Sequence, residues 1–125
     1  MSFIFRRLFS STPSAAMSES AQKKAQQLID DNGVIVFSKS WCPYCNNVKR
    51  ILNGMNAKYA HYELNQENDG DDIQAALYKM TGQRTVPNIF IGRVHIGGSS
   101  DFESVVRSGK DGKRIEELLR EAGAL

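Results

Sequence analysis

The stretch VIVFSKSWCPYCNNVKRIL, residues 34–52, joins an apolar run to a cysteine pair and then to an amphipathic segment. The run VIVF at 34–37 is continuously apolar and rich in β-branched residues, as is typical of a strand that is covered on both faces. After the cysteines, apolar residues follow helical spacing at Val48, Ile51, Leu52 and Met55. This stretch therefore predicts a buried strand that leads directly into a helix at Cys42.

The chain on either side alternates between helical and strand periods. A helix is predicted before the stretch, with its apolar face at Ala21, Ala25, Leu28 and Ile29. The elements predicted after it are a strand at 59–64, a helix around 73–80, a hairpin at 88–91 and 94–96, and two helices around 102–106 and 115–119. Strands joined through a helix are expected to be parallel, whereas the hairpin adds an antiparallel edge. This order predicts an α/β fold, in which a mixed four-stranded sheet carries helices on both faces.

Composition limits what this chain can be. Its 125 residues, of which 41% are hydrophobic, suffice for one core and make a single domain the expectation. No apolar run approaches the roughly 18 residues that a membrane helix needs. The net charge of only +2 gives no electrostatic footprint for nucleic acid or anionic lipid, so neither partner is expected.

Residues 1–18 have a different composition from the rest. Arg6 and Arg7 stand among apolar and hydroxyl residues, and no acidic residue occurs before Glu19. This is typical of a mitochondrial or plastid transit peptide, with a disordered leader as the alternative. We therefore expect a leader at 1–18, a folded domain at 19–125 and a mitochondrial location. A second start at Met17 would give a shorter, cytosolic form.

The cysteine pair allows three interpretations: a structural disulfide, a metal site or a redox pair. Two cysteines in 125 residues are too few for a disulfide-stabilised secreted domain, which favours a reducing compartment. A closed zinc site needs four ligands, and the other candidates, His61 and His95, are not spaced like zinc ligands. We interpret both histidines as ordinary strand residues and expect no metal. A C-x-x-C pair after a strand favours thiol–disulfide chemistry.

The local sequence predicts different roles for the two cysteines. Pro43 suits the first position of a helix, which makes Cys42 the N-cap. Its sulfur would then face the backbone N–H groups of Tyr44 and Cys45, which favour thiolate over thiol, and Lys39 would add a positive charge. Cys45, one turn inside, is expected to be more buried and to hold its proton more tightly. For Trp41 we favour a partly buried aromatic that shields the site over an exposed stacking surface.

Two further motifs are suited to holding a peptide-like substrate. In TVP, residues 85–87, Pro87 forces Val86 into an extended backbone, and a cis bond before Pro87 would leave that backbone free to pair with an extended peptide. In GGSSD, residues 97–101, the glycines allow a tight turn into a helix whose first N–H groups can hold a carboxylate. Asp101 can accept from an ammonium group. Taken singly, these motifs also fit a rigid turn and a capped helix.

With CPYC at 42–45, GQRTVP at 82–87 and GGSSD at 97–101, the chain resembles the dithiol glutaredoxins over about residues 20–121. The resemblance implies a thioredoxin-like fold and a glutathione-dependent thiol–disulfide oxidoreductase. Its substrates would be glutathionylated proteins and protein disulfides, with glutathione reductase as an indirect partner. By this resemblance Cys42 attacks the mixed disulfide and becomes glutathionylated, and Cys45 closes an intramolecular disulfide when the target is a protein disulfide.

The resemblance also implies a glutathione site. The matching residues hold the glycine end of glutathione with side chains, its cysteine with a backbone edge and its γ-glutamyl end with a helix terminus. These residues are Lys39, Tyr44 and Gln83 at the glycine end, Val86 before Pro87 at the cysteine, and Ser100 with Asp101, after the Gly98 turn, at the γ-glutamyl end.

Two positions bear on the subtype. Relatives that bridge an iron–sulfur cluster between subunits usually have a smaller residue in place of Pro43, so we expect a cluster-free monomer. Ser99 stands where some relatives carry a further cysteine. The alternative function is a redox-inactive module that binds glutathione or an iron–sulfur cluster in the same groove.

Overall fold

The computed structural model describes residues 13–125, with side chains from Ser18 onward. Five helices and four strands follow one another in the order that the sequence pattern predicts. They are α1 (Pro13–Asp31), β1 (Val34–Ser38), α2 (Pro43–Gly54), β2 (Ala60–Glu63), α3 (Gly70–Thr81), β3 (Asn88–Ile91), β4 (Val94–Gly97), α4 (Ser99–Ser108) and α5 (Ile115–Glu121).

The four strands form one mixed sheet in the order β2-β1-β3-β4. Strand β1 is parallel to β2 and antiparallel to β3, and β3 is antiparallel to β4. Both predictions, the parallel pair and the antiparallel hairpin at one edge, are confirmed. In the β1–β2 register Ser38 is the partner of Glu63, so the last residues of the two strands lie side by side beneath the loop that carries the cysteines.

Helices cover both faces of the sheet, and each face has its own apolar core. Successive side chains of β1 point to opposite faces. Val34 and Val36 accordingly belong to a core with α2, α4 and α5, whereas Ile35 and Phe37 belong to one with α1 and α3. Every residue of β1 is buried, which explains why its sequence is continuously apolar rather than alternating. The chain therefore has the thioredoxin-like fold that the resemblance implies.

Helix α1 begins at Pro13, several residues before the apolar face that predicted it. Proline favours a first helical position, and the alanines that follow are strong helix formers, so the helix extends beyond its apolar contacts with the core. Residues 1–12 of the predicted leader lie outside the described residues, and the domain boundary at 18 stays a prediction. Within residues 13–125, no helix combines the length and the apolar character that crossing a membrane requires.

Candidate active site

Cys42 is the N-cap of α2, as predicted, with Pro43 in the first helical turn. Its backbone is extended (φ −84°, ψ 116°), which brings the side chain back over the helix terminus. Of the two N–H groups expected to face the sulfur, that of Cys45 donates to Cys42 Sγ at 3.3 Å. Cys42 Sγ also lies 4.0 Å from the carbonyl oxygen of Val86. A sulfur in this position faces the positive end of the helix, which favours a negative charge on it.

Cys45 lies one turn deeper, with no exposed surface, and both cysteines are reduced. Burial, together with the hydrogen bond to Cys42, raises the pKa of Cys45 to about 12, although the positive charge of Lys49 opposes this rise. The prediction that the inner cysteine is the more buried and holds its proton tightly is confirmed. At neutral pH Cys45 is therefore a thiol that must lose its proton before it can attack.

A groove of about 760 Å³ runs beside the α2 terminus. This volume falls within the range of small-molecule sites. Its lining combines three parts of the chain that are distant in sequence: the α2 terminus, the loop before β3 and the α4 terminus. The lining residues are Pro43, Tyr44, Asn47, Gln83, Thr85, Val86, Pro87, Gly98, Ser99, Ser100, Asp101 and Glu103.

The groove brings together the residues that the resemblance assigns to glutathione, with one exception. Lys39 is not among the lining residues, and its Nζ lies 5.8 Å from the ring centre of Trp41. Trp41 itself is 67% exposed, so the prediction of a partly buried aromatic is wrong. It stands in the loop between β1 and α2, outside both apolar cores, and no neighbouring element covers it.

The loop before β3 forms one wall of the groove. Helix α3 ends at Gly82, whose left-handed backbone (φ 79°) turns the chain towards Gln83. The Gln83 side-chain amide donates to the carbonyl oxygens of Thr85 (3.1 Å) and Pro87 (3.0 Å). The Val86–Pro87 bond is cis. Gln83 thus braces the loop that presents Val86, a role that the sequence analysis did not predict.

The opposite wall is the N-terminus of α4. The N–H of Gly98 donates to Asp101 Oδ2 at 2.9 Å, and the first helical hydrogen bond runs from Phe102 N–H to the Gly98 carbonyl. The N–H groups of the three residues between them therefore have no helical acceptor. Gly97 is required at the turn because its φ is +116° and a Cβ there would lie 2.3 Å from Asp101 Oδ2. The result is an anion-binding helix terminus with a carboxylate beside it.

A partly buried polar cluster at the ends of β1 and β2 was not predicted from the sequence. Glu63 Oε1 accepts hydrogen bonds from Ser38 Oγ (2.7 Å), Lys49 Nζ (2.5 Å) and His61 Nδ1 (2.9 Å). The side chains of Glu63 and Lys49 are only 10% and 17% exposed. Burial alone would raise the pKa of Glu63, but the hydrogen bonds from Lys49, Ser38 and His61 outweigh it and leave the pKa below its usual value.

The sequence indicated the position of Lys49 in this cluster but not that of Glu63. Lys49 follows Cys45 by four positions, so the two share a helix face, and it stands directly after the core residue Val48. The burial of Glu63 depends on the register of β2 against Ser38, which sequence periodicity does not determine.

The two histidines lie in strands, as predicted. His61 in β2 is exposed apart from its bond to Glu63, whereas His95 in β4 bonds Asn88 Oδ1 at 2.8 Å and packs against Phe90, with ring centres 5.0 Å apart. Within the described part of the chain, no three His, Cys, Asp or Glu side chains are grouped as metal ligands.

Known proteins similar to this chain are glutaredoxins. The family model described as glutaredoxin matches residues 34–96. A glutaredoxin from Vernicia fordii is 50% identical over 105 residues, which cover 84% of this chain and 97% of the relative. Glutaredoxin-C2 from Arabidopsis thaliana is 48% identical, with 84% and 91% covered. The buckwheat glutaredoxin–glutathione complex superposes with a TM-score of 0.83 at 46% identity, covering 88% of this chain and 96% of that one.

Proposed function

Because this chain belongs to the glutaredoxin family and is a glutathione-dependent thiol–disulfide oxidoreductase, we propose that it works by the dithiol route through Cys42 and Cys45. The observation that carries the proposal is the position of the two sulfurs. Cys42 caps α2 directly before the groove-lining residues Pro43 and Tyr44, with 4% of its own surface exposed, and Cys45 lies one turn below it with its N–H bonded to the Cys42 sulfur. One cysteine is thus placed to meet substrate and the other to displace it.

On a glutathionylated protein, the Cys42 thiolate attacks the glutathione sulfur. A bond forms between Cys42 and glutathione, the bond between glutathione and the protein breaks, and the protein thiolate leaves and takes a proton. A second glutathione thiolate then attacks the glutathione sulfur on Cys42, which releases oxidised glutathione and restores the Cys42 thiolate. In net, one free glutathione thiol is consumed for each protein thiol released, and the disulfide bond passes from the substrate to oxidised glutathione, which a glutathione reductase returns to its thiol form.

On a protein disulfide, Cys42 attacks one sulfur and forms a mixed disulfide with the protein. Cys45, once deprotonated, attacks the Cys42 sulfur, so that the Cys42–Cys45 bond forms and the reduced protein leaves. Glutathione then restores the dithiol in two exchange steps. Cys45 is needed for this route only, because in the first route glutathione itself regenerates Cys42.

We assign the groove to glutathione, the molecule with which the similar buckwheat glutaredoxin forms its complex. The unbonded N–H groups at the α4 terminus suit the γ-glutamyl carboxylate, and Asp101, whose Oδ2 is held by Gly98, suits its ammonium group. The extended backbone at Val86 suits the cysteine of glutathione. Tyr44 and Gln83 lie at the end assigned to the glycine, and Lys39, outside the groove lining, contributes charge only.

The finer assignments rest on sequence features. Pro43 at the start of α2 supports the CPYC subtype and a cluster-free monomer, because its ring stiffens the loop that a bridging cluster would have to share. The composition of residues 1–18 supports delivery to the mitochondrion, and Met17 supports a shorter cytosolic form. Cell fractionation with antibodies to the C-terminal domain tests this: the protein is expected in both the mitochondrial and the cytosolic fractions, and a mitochondrial band alone would refute the cytosolic form.

Two serine variants test the function. Cys42→Ser is expected to lose all turnover, both on a small glutathione mixed disulfide and on a protein disulfide. Cys45→Ser is expected to keep turnover on the mixed disulfide and to lose that on the protein disulfide. A glutathione-coupled assay measures both substrates. Equal loss of the two activities in Cys45→Ser would refute the dithiol route, and unchanged turnover in Cys42→Ser would refute Cys42 as the nucleophile.

A further inference from the structure

The partly buried pair Lys49–Glu63 lies outside the groove lining, and its side chains keep only 17% and 10% of their surface exposed. Lys49 stands on α2 one turn after Cys45, and residues four apart share one helix face. Glu63 reaches the same place from the end of β2 and binds Lys49 Nζ at 2.5 Å. Lys49 thus shares a helix face with Cys45, its positive charge acts on the Cys45 thiol, and Glu63 is bound to Lys49.

Glu63 is bound unevenly. Three donors converge on Oε1, while Oε2 is buried and has no hydrogen-bond partner among the described residues. Buried carboxylate oxygens are normally satisfied, because leaving one without a donor costs free energy. Against the effect of burial, the three donors on Oε1 lower the pKa of Glu63 and so keep its carboxylate charged beside Lys49.

We propose that Lys49 and Glu63 are a positioning pair that sets how readily Cys45 attacks the mixed disulfide on Cys42, with Lys49 promoting the attack and Glu63 restraining it. The inference rests on the dithiol function proposed above. In the attack, Cys45 gives up its proton to solvent, its thiolate forms the Cys42–Cys45 bond, and the substrate sulfur leaves as a thiolate and is protonated. Lys49 stabilises the negative charge on Cys45 before the attack, and Glu63 weakens that stabilisation by holding Lys49.

The electrostatic surroundings of Cys45 agree with this assignment. The positive charge of Lys49 opposes the rise in the pKa of Cys45 that burial and Cys42 cause. The other groups are the backbone of Lys39, which also opposes the rise, and His61, which reaches the cluster through Glu63. The charge of Lys49 thus lowers the pKa of Cys45, against the larger effects of burial and of Cys42, and Glu63 is the hydrogen-bonded partner of Lys49.

The proposal makes predictions of opposite sign for the two partners. In Lys49→Met the thiolate fraction of Cys45 falls about tenfold for each unit by which its pKa rises. The remaining thiolate becomes about threefold more nucleophilic, since the Brønsted slope is about 0.5. We therefore expect a net loss of about threefold in protein-disulfide reduction. Glu63→Gln removes the negative charge beside Lys49, while the amide oxygen can still accept its hydrogen bond, and is expected to raise the same rate about threefold.

The experiment compares protein-disulfide reduction with reduction of a small glutathione mixed disulfide, in each variant and across pH. The ratio of the two kcat/KM values is expected to fall in Lys49→Met, recover in Lys49→Arg and rise in Glu63→Gln. The pH profile of the protein-disulfide reaction is expected to shift to higher pH in Lys49→Met and to lower pH in Glu63→Gln. Lys24→Met is the matched control, because Lys24 pairs with Asp69 outside the groove lining, and its ratio is expected to match wild type.

If the pair had only a structural role, both Lys49→Met and Glu63→Gln would lower stability. The ratio of the two kcat/KM values would then stay unchanged in both variants or change in the same direction in both. Either result, or a Lys49→Arg variant that fails to recover, would overturn the proposal. Thermal melting of each variant identifies any that fail to fold, and Lys49→Arg and Glu63→Gln keep the size of the native side chains. Failure of the dithiol function itself would look different, since the wild-type protein would then not reduce the protein disulfide.

Discussion

The loop that carries Cys42 has two sides that differ in almost every physical property. On the groove side, Tyr44 is 68% exposed and the α4 terminus offers N–H groups that have no helical acceptor. On the inner side, defined by Ser38, Cys45, Lys49 and Glu63, Ser38 and Cys45 are buried, Lys49 and Glu63 are mostly covered, and the side chains of Ser38 and Lys49 bond Glu63. On the groove side, polar groups gain protein-like partners only when a ligand binds, whereas on the inner side the hydrogen bonds form when the protein folds.

This difference separates binding from stability. A group that meets only substrate can be changed at little cost to the folded state, because in the free protein it is already hydrated. A buried ion pair behaves in the opposite way, because removal of one partner leaves an uncompensated charge. Substitutions on the groove side should therefore change kinetic constants, and those on the inner side should change the free energy of unfolding as well.

The largest stability effect is expected from Glu63→Ala, which leaves Lys49 with no carboxylate and Ser38 with no acceptor. Removing one member of a buried pair costs about 3–5 kcal/mol, and we expect the lower end, about 3 kcal/mol, because the Lys49 side chain retains 17% exposure. Urea unfolding at pH 7 measures the change. A loss below about 1 kcal/mol would place this pair among surface ion pairs and remove the contrast between the two sides.

The next effect belongs to the groove side. Asp101→Asn is expected to raise KM for a glutathione mixed disulfide about tenfold, or about 1.4 kcal/mol, because the negative charge that faces the ammonium group is lost. Stability should change little, since an asparagine oxygen can still accept from the Gly98 N–H. Glu103→Gln is the matched control: it removes a charge from the groove lining while its amide oxygen can still accept from Asn47. An equal rise in KM in both variants would mean that overall charge, not the α4 terminus, holds the substrate.

The two sides also differ in how far the sequence predicted them. The groove side is made of motifs with strict local geometry, such as the Pro43 helix start, the Gly97 turn and the extended residue before Pro87, so each could be recognised from a few residues. The inner side depends on strand register, since Glu63 is buried only because it pairs with Ser38. No local pattern determines that pairing.

The failure at Trp41 has a similar cause. An aromatic residue before the cysteines was expected to be partly covered, but coverage requires a neighbouring element, and the two cores are filled without it. The order of elements was predictable because each strand and helix shows its own period. Which side chains meet at the ends of those elements was not.

A change in pH is expected to alter the stability contributed by each side, by a smaller amount than the substitutions above. Burial, aided by the charge of Lys110 and opposed by that of the groove residue Asp101, lowers the pKa of His95, which bonds Asn88. The unfolded chain therefore binds this proton more readily, so stability from His95 is lost as pH falls below about 6.5. The pKa of Glu63 is also lowered, and its effect on stability appears at lower pH. The stability that Glu63 contributes is complete above about pH 4.3 and is lost as the pH falls through its folded-state pKa.

Urea midpoints measured from neutral to acidic pH should show both losses. His95→Gln is expected to remove the loss of stability near pH 6.5 and to keep the one at lower pH. Glu63→Gln is expected to keep the loss near pH 6.5 and to remove the one at lower pH. The assignment would be contradicted if the loss near pH 6.5 persisted without His95.

The smallest effect is expected at an ion pair that belongs to neither side. Lys24 binds Asp69 at 2.6 Å, with side chains 49% and 32% exposed, and its ammonium lies 5.4 Å from the ring centre of Tyr62. Solvent screens this pair, so Lys24→Met should cost about 0.5 kcal/mol and less at high salt, where the Debye length falls to about 3 Å. Asp69 keeps the Tyr62 hydroxyl as a donor, which limits the loss. Urea unfolding at low and high salt, beside Glu63→Ala, provides the comparison. If the exposed pair cost as much as the buried one, burial could not be the reason that the inner side controls stability.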